Sequence, residues 1–297
     1  MIFVLLTALV LLLIPSMATA QPDKDKPLPA TNVELVKKIT LKGSKAAGGK
    51  PVKQAASGVL GAECNGNRYA IVIGISNYPG TANDLEYGDD DAQDMYDALT
   101  DSYKFSSANI TMLTDLEASF YAIQNAIAAK KDQVTASDEV VFFFSGHGTK
   151  GVAMDSDKEN IDEAIVCHDG TENGQLLAIW DGQLKDWFAG FATERIIFIF
   201  DSCLSGGMTD LKSTGRVICM ASSETGYSYE GDTWGNGQFT YYFVDQGISG
   251  SLADKYDHDE NPLTEDVTVE EAFDYAKTNC VLQSPGISDS FDKDLLP

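Results

Sequence analysis

Beyond Arg68, short runs of β-branched and aromatic residues alternate with stretches whose apolar positions recur at helical spacing. Six runs predict strands, at Tyr69–Ile75, Ile110–Leu113, Glu139–Phe144, Ala164–Cys167, Arg195–Phe200 and Val217–Ala221. Five amphipathic stretches predict helices, at Asp91–Ser102, Ser119–Lys131, Asp181–Phe191, Gln238–Gln246 and Val269–Thr278. Runs such as VVFFF and IIFIF are apolar on both faces, as central parallel strands must be. Strands of that kind alternating with helices predict βα units on a mainly parallel sheet, an α/β class, in one domain over residues 68–297.

Ahead of that domain the periodicity fades. Residues 21–67 are rich in Lys, Gly, Pro and Ala, as in KKITLKGSKAAGGKPVKQAASG, and predict a flexible pro-segment or linker. The first twenty residues differ again: an apolar run from Ile2 to Ile14, then Pro15, then Ala18-Thr19-Ala20. An apolar core followed by a small-x-small pattern predicts a signal peptide over residues 1–20, cleaved after Ala20, and hence a secreted or periplasm-like location. The run falls short of the roughly 20 residues that span a bilayer, so no membrane partner is expected after cleavage.

Charge sharpens this division. Residues 21–68 hold nine Lys and Arg against four Asp and Glu, while the whole chain carries a net −24, so a basic segment precedes a strongly acidic body. Such a body repels phosphate backbones, which excludes nucleic acid as an expected partner, and attracts divalent cations and basic peptides. Five cysteines is an odd number for an exported chain, so one thiol at least stays free or pairs with another chain. Cys203 is the candidate for the free one; Cys64, Cys167, Cys219 and Cys280 allow three disulfide connectivities, and the sequence does not choose among them.

Two strands end in chemically distinctive ways. VVFFF runs into Ser145-Gly146-His147-Gly148, and IIFIF runs into Asp201-Ser202-Cys203-Leu204-Ser205-Gly206. Functional groups of open α/β sheets gather beyond the carboxyl ends of the strands, so a lone His and a lone Cys are brought to one edge. If the two strands are neighbours, imidazole and thiol face one cleft. A nearby imidazole lowers a thiol's pKa toward the reactive thiolate and then protonates the leaving amine. The backbone N–H groups of Cys203 and Gly148 are the candidate donors to a tetrahedral oxyanion. The competing reading of each residue singly is a buried core thiol and a turn histidine.

The pair of motifs resembles the caspase-like peptidases, and among them most the metacaspases, over roughly Arg68 to Gln246. LEYGDDDAQDM, IDEAIVCHD and ASSETGYSYE are similar to further family segments. The resemblance implies a caspase-hemoglobinase-like three-layer sandwich with a mainly parallel central sheet flanked by helices. It also implies a cysteine endopeptidase using His147 and Cys203 on peptide or protein substrates, with no cofactor required for the chemistry. Caspases proper hold an acidic substrate side chain with arginine, whereas metacaspases use carboxylates for Arg or Lys. By position Asp91, Ser145 and Asp201 match the metacaspase pocket, although Asp91 also reads as a helix first-turn acid.

Many metacaspases are activated by calcium, and the resemblance places candidate ligands at Asp162, Asp181 and Asp210. Where the family often has Asp-Asp, this chain has Asp181-Gly182, one carboxylate fewer. Family members also cut themselves after basic residues, which marks Lys45, Lys50 and Lys53 in the pro-segment, and Lys212 and Arg216 after the cysteine, and makes the pro-segment a candidate partner of the site. Two rivals stay open at this level: a catalytically silent homologue that binds calcium or a basic partner, and a legumain-like enzyme acting after Asn.

Overall fold

A run such as Val140–Phe144 has no polar face to offer water, and in the computed structural model, which describes residues 22–43, 52–155, 159–170, 175–261 and 264–297, all of its side chains are buried. The expected signal peptide and the lysines at 45 and 50 lie outside the described residues. Strands β1 (Ala30–Val36) and β2 (Ile39–Leu41) come first. They are followed by β3 (Arg68–Gly74), helix α1 (Gly88–Asp97), β4 (Ile110–Thr114), α2 (Phe120–Gln133) and β5 (Glu139–Ser145). Next come β6 (Gly148–Ala153), β7 (Asp162–Gly170), β8 (Leu176–Trp180), α3 (Asp181–Phe188), β9 (Ile196–Asp201) and β10 (Arg216–Met220). The short strands β11 (Tyr229–Gly231) and β12 (Asn236–Gly237) lead to α4 (Gln238–Thr240), which widens into a π-helical stretch over Tyr241–Ser249. Helix α5 (Val269–Asn279) and β13 (Gly286–Asp289) complete the order.

The central sheet has the order β13-β10-β9-β5-β3-β4. It is parallel except for β13. Phe120, Ile123 and Ile127 of α2 and Leu184, Trp187 and Phe188 of α3 pack with one face of it. Ala92 and Met95 of α1, Phe239, Phe243 and Val244 around α4, and Ala272 and Phe273 of α5 pack with the other. The result is the expected three-layer α/β sandwich. Helix starts are fixed locally: Ser119 accepts from the Ala122 N–H ahead of α2, and Thr268 with Glu271 forms a capping box at α5.

Two features position the cleft. The chain leaves β3 for β4 on one side and reaches β5 on the other, so the strand order reverses between β3 and β5 and opens a crevice at their carboxyl ends. The register also sets Gly74, Ser145 and Asp201 level across β3, β5 and β9. A Cβ at Gly74 would lie 2.1 Å from the Gly88 carbonyl oxygen, so only glycine there lets the start of α1 rest on the sheet edge.

Beyond the central sheet the architecture differs from the sequence expectation. β1, β6, β7 and β8 form a second, antiparallel sheet, and β2 joins β11 and β12 in a third. Of these only β7 was expected. Residues 21–67 were expected to be flexible, yet residues 30–36 and 39–41 are strands. The segment is tied down elsewhere too: Gln183 and the Trp187 indole donate to carbonyls of Lys24 and Lys26, while Asp274 and Asp294 accept backbone N–H groups of residues 55–58. Helix α1 begins three residues before the expected Asp91, because three successive acids, Asp89, Asp90 and Asp91, favour its first turn. Among the described residues, which include all five cysteines, there is no disulfide, so none of the three connectivities is realised. Cys167 sits on one face of the central sheet and Cys219 and Cys280 on the other, while Cys64 lies near the surface.

Candidate active site

β5 and β9 are adjacent and parallel, with Ser145 opposite Asp201, and each chain then continues two residues to His147 and Cys203. The imidazole and the thiol therefore stand at equivalent positions beyond neighbouring strand ends. Gly148 lies directly against the Cys203 backbone, since a Cβ there would be 2.1 Å from the Cys203 carbonyl oxygen. That contact sets the backbones of Gly148 and Cys203, which carry the two candidate oxyanion donors, side by side. After Cys203 the chain turns sharply, with Leu204 in the left-handed region at φ 60°.

His147 is held on three sides. Its Nε2 meets the Asn83 carbonyl at 2.7 Å, its backbone N–H donates to the Tyr78 hydroxyl at 2.9 Å, and its ring stacks on Tyr78 with centroids 4.7 Å apart. An Nε2–H donated to Asn83 leaves the Nδ1 lone pair facing the cleft, which is the tautomer proton transfer requires. The Cys203 sulfur accepts the Ser228 N–H at 3.1 Å. Tyr78, Asn83 and Ser228 were not identified from the sequence. Ser228 lies within ASSETGYSYE, whereas no pattern in the chain marks a tyrosine or a carbonyl as the support of a histidine.

Asp91, Ser145 and Asp201 converge, and a lysine from the segment before the domain sits among them. The Lys38 ammonium lies 3.3 Å from Asp91 Oδ2, 3.1 Å from Asp201 Oδ1 and 3.0 Å from Ser145 Oγ. Ser145 Oγ in turn donates to Asp91 Oδ2 at 2.5 Å. Neighbours fix both carboxylates: Asp91 Oδ1 accepts the Gly237 N–H, and Asp201 accepts from the Ser228 hydroxyl and from the Thr240 N–H and hydroxyl. Asp91 is thus both a first-turn acid of α1 and a partner of the Lys38 ammonium. Burial works to neutralise Lys38, but Asp201 and Asp91 overcome it and hold the ammonium well above the ordinary lysine value. Burial raises Asp91, which Lys38 opposes and Asp201 reinforces, to about 7.

The same segment covers the dyad. Cys203 and His147 are each only 1% exposed, and Val36 packs on Cys203 and Leu204. The Lys38 N–H donates to His147 Nδ1 at 3.1 Å, and the thiol reaches the Lys37 carbonyl oxygen at 3.4 Å. Burial pushes the thiol up to about 11, against the pull of the Ser228 N–H and Lys38. Burial also lowers the imidazole to about 4; the contact with Asn83 opposes this and the charges of Lys37 and Lys38 add to it. At neutral pH this arrangement holds a neutral thiol beside a neutral imidazole.

The acids expected as calcium ligands are not all brought together. Oxygens of Asp155, Asp162 and Asp181, all buried, lie within 4.8 Å of one another, and Glu159, Glu163 and Asp181 make a second such group. Asp210 does not join them and pairs with Lys185 at 3.0 Å. In its place comes Asp155, missed by sequence reasoning, because a Cβ at Gly182 would lie 2.5 Å from Asp155 Oδ2. The glycine that removes one carboxylate makes room for another. Burial raises Glu163 to about 8, and Glu224, Glu159 and Asp162 add to the shift.

Of the expected processing sites, Lys53 and Lys212 are exposed. Arg216 is not available in the fold: it is buried, its guanidinium donates to the Leu211 and Phe188 carbonyls, and it lies over the Phe198 ring.

A family model described as Caspase domain matches residues 67–294. Metacaspase-1 of Saccharomyces cerevisiae is 31% identical over 161 residues, covering 51% of this chain and 36% of that protein. Metacaspase-4 of Arabidopsis thaliana is 35% identical over 149 residues, covering 48% of this chain and 34% of that protein. The match thus spans about a third of the length of these relatives. A protein from Geobacter sulfurreducens with a solved crystal structure is similar in fold, with a TM-score of 0.55 and 16% identity over 75% of this chain and 93% of that chain.

Proposed function

The chain belongs to the caspase domain family, and from that premise we propose that it is a cysteine endopeptidase that hydrolyses peptide bonds on the carboxyl side of Lys or Arg. Cys203 is the nucleophile and His147 the acid and base. With the cleft open to substrate, His147 Nδ1 takes the proton of the Cys203 thiol, and the resulting thiolate attacks the carbonyl carbon and forms a C–S bond. The oxyanion takes hydrogen bonds from the Cys203 and Gly148 N–H groups. His147 Nδ1 then gives its proton to the amine as the C–N bond breaks, and afterwards takes a proton from the water that releases the thioester.

The observation that carries the reading is the Lys38 ammonium held between Asp91 and Asp201 beside the dyad. Two buried carboxylates are a charge-assisted match for an ammonium or guanidinium, whereas an Asn side chain would leave them without a counter-charge. A peptide library varied at the residue before the cut is expected to rank Arg and Lys at least about tenfold above Asn and Asp. A preference for Asn would transfer the chain to the legumain-like reading.

Calcium belongs to the same proposal. Asp155, Asp162 and Asp181 supply the hard oxygen donors that Ca²⁺ takes, already gathered and buried, and a cation among them would offset the repulsion that Asp162 adds to the burial raising Glu163. Calcium is expected to raise the melting temperature, and Asp162→Asn to raise the calcium concentration needed by at least about tenfold. Equal calcium titrations of the two proteins, read by thermal shift, would remove the ion from the account. Export of the chain and processing in the lysine-rich segment rest on the sequence pattern together with the exposure of Lys53.

A further inference from the structure

We propose that residues 34–41 are a built-in inhibitor of the cleft, threaded in the direction opposite to a substrate and for that reason not cut where they lie; this rests on the peptidase reading of the site. The segment spans the whole groove. β1 pairs antiparallel with β6, setting Val36 opposite Gly148, Leu35 opposite Thr149 and Glu34 opposite Lys150. β2 pairs parallel with β11, setting Ile39 opposite Tyr229 and Thr40 opposite Glu230. Between these two β-augmentations Lys37 and Lys38 cross the dyad. Side chains reinforce both ends, as Thr149 Oγ1 donates to the Glu34 carbonyl at 2.8 Å and Thr40 Oγ1 to Glu230 at 2.6 Å.

Polarity decides the outcome. An enzyme that cuts after the residue in its pocket must hold that residue's carbonyl carbon at the sulfur and the next residue's nitrogen at the imidazole. Here Lys38 fills the pocket, but the nitrogen at His147 Nδ1 is Lys38's own and the carbonyl at the thiol is that of Lys37. The Lys38–Ile39 bond, the one the pocket selects, is turned away, with the Ile39 N–H bonded to the Ser228 carbonyl at 3.0 Å. Pocket and dyad thus address opposite sides of one residue. A substrate with its basic side chain in the same pocket must reverse the chain and run antiparallel to β11, with its amino-terminal side where β2 now lies. Substrate and segment cannot be bound together, and activity follows the fraction of molecules in which the segment has left. Because the segment is tethered, it competes at an effective concentration that a free peptide of the same sequence must match.

The test uses the full chain and reads Cys203 directly, by site-resolved alkylation with iodoacetamide at neutral pH. Lys38→Ala removes the anchor. Ile39→Pro removes the N–H given to Ser228 and leaves Lys38 and both carboxylates intact. Each variant is expected to alkylate at Cys203 about tenfold or more faster than wild type. A synthetic peptide of residues 34–41 is expected to slow that reaction again and to be recovered whole, while the same peptide with Ala for Lys38 has no effect. In wild type both the Lys37–Lys38 and Lys38–Ile39 bonds stay intact by mass spectrometry. Equal alkylation of wild type and Ile39→Pro, or a concentration-independent cut at either bond, overturns the proposal. Faster alkylation without hydrolysis of an Arg-containing peptide upholds the inhibitor and rejects the peptidase. Equal hydrolysis by wild type and variants does the reverse.

Discussion

Replacing Cys203 with Ala is expected to lower hydrolysis of an Arg-containing peptide by at least about 10⁴-fold, with binding of that peptide nearly unchanged. The substitution removes the only atom placed to form the thioester, since the described groups around it, the Ser228 N–H, the imidazole and the Lys37 carbonyl, are donors and acceptors and not nucleophiles. What is left is the pocket and the oxyanion donors, which hold a substrate but have nothing to attack it with. The comparison belongs in the Ile39→Pro background, because in the closed state the thiol at about 11 and the imidazole at about 4 keep the dyad neutral and the native rate low. His147→Ala should fall nearly as far, and the double variant little further, as expected of two residues acting in one step. A Cys203→Ala protein that still cuts the peptide at the native rate would show that the chemistry lies elsewhere, whatever the geometry of the two strand ends.

The two strand ends were legible because their signal is local. A fully apolar run has one place in an α/β domain, the middle of the sheet, and a polar residue bracketed by glycine just after it has one place too, the rim. Asp91, Ser145 and Asp201 were legible only through the family resemblance, as nothing in the spacing brings an acid in a helix first turn to two strand ends. Lys38 was not legible at all. Its neighbours read as a solvated, lysine-rich linker, and its burial is produced by partners more than fifty residues away, Asp91, Ser145 and Asp201. β1 was missed for the same reason: ATNVELV is mostly exposed, and pairing with β6 makes it a strand, not its own pattern. The sequence left the cysteine pairing open because a count says nothing of which face of a sheet each one occupies, and Cys167 lies on one face with Cys219 and Cys280 on the other. Asp210 failed because position in a family motif was weighed without Lys185, which pairs with it.

Asp201→Asn is expected to cut kcat/KM for Arg and Lys peptides by roughly a hundredfold. Removing one partner of a buried charge pair costs about 3 kcal/mol or more, and each 1.36 kcal/mol is a factor of ten in rate. The loss alone does not establish a pocket, because Asp201 also accepts from Ser228 and Thr240 and its replacement loosens the site. The acid side of the pH profile separates the two. Asp91 stands at about 7 with Lys38 beside it, and Lys38 is holding it down. When the segment leaves, that restraint goes while entering water eases the burial that lifts Asp91, so Asp201 still holds it above the ordinary carboxylate value, and a carboxyl protonated below its raised pKa no longer attracts a cation. The kcat/KM for basic peptides in the Ile39→Pro protein should therefore fall as the pH drops through that raised value. Asp201 is one of the groups that raise Asp91, so its neutralisation lowers Asp91 and must move the acid limb to lower pH even as the rate at neutral pH declines. A merely structural injury lowers the whole profile and leaves the limb where it was. A limb that stays in place or moves to higher pH in Asp201→Asn would show that the two carboxylates do not share the work of holding the substrate's charge.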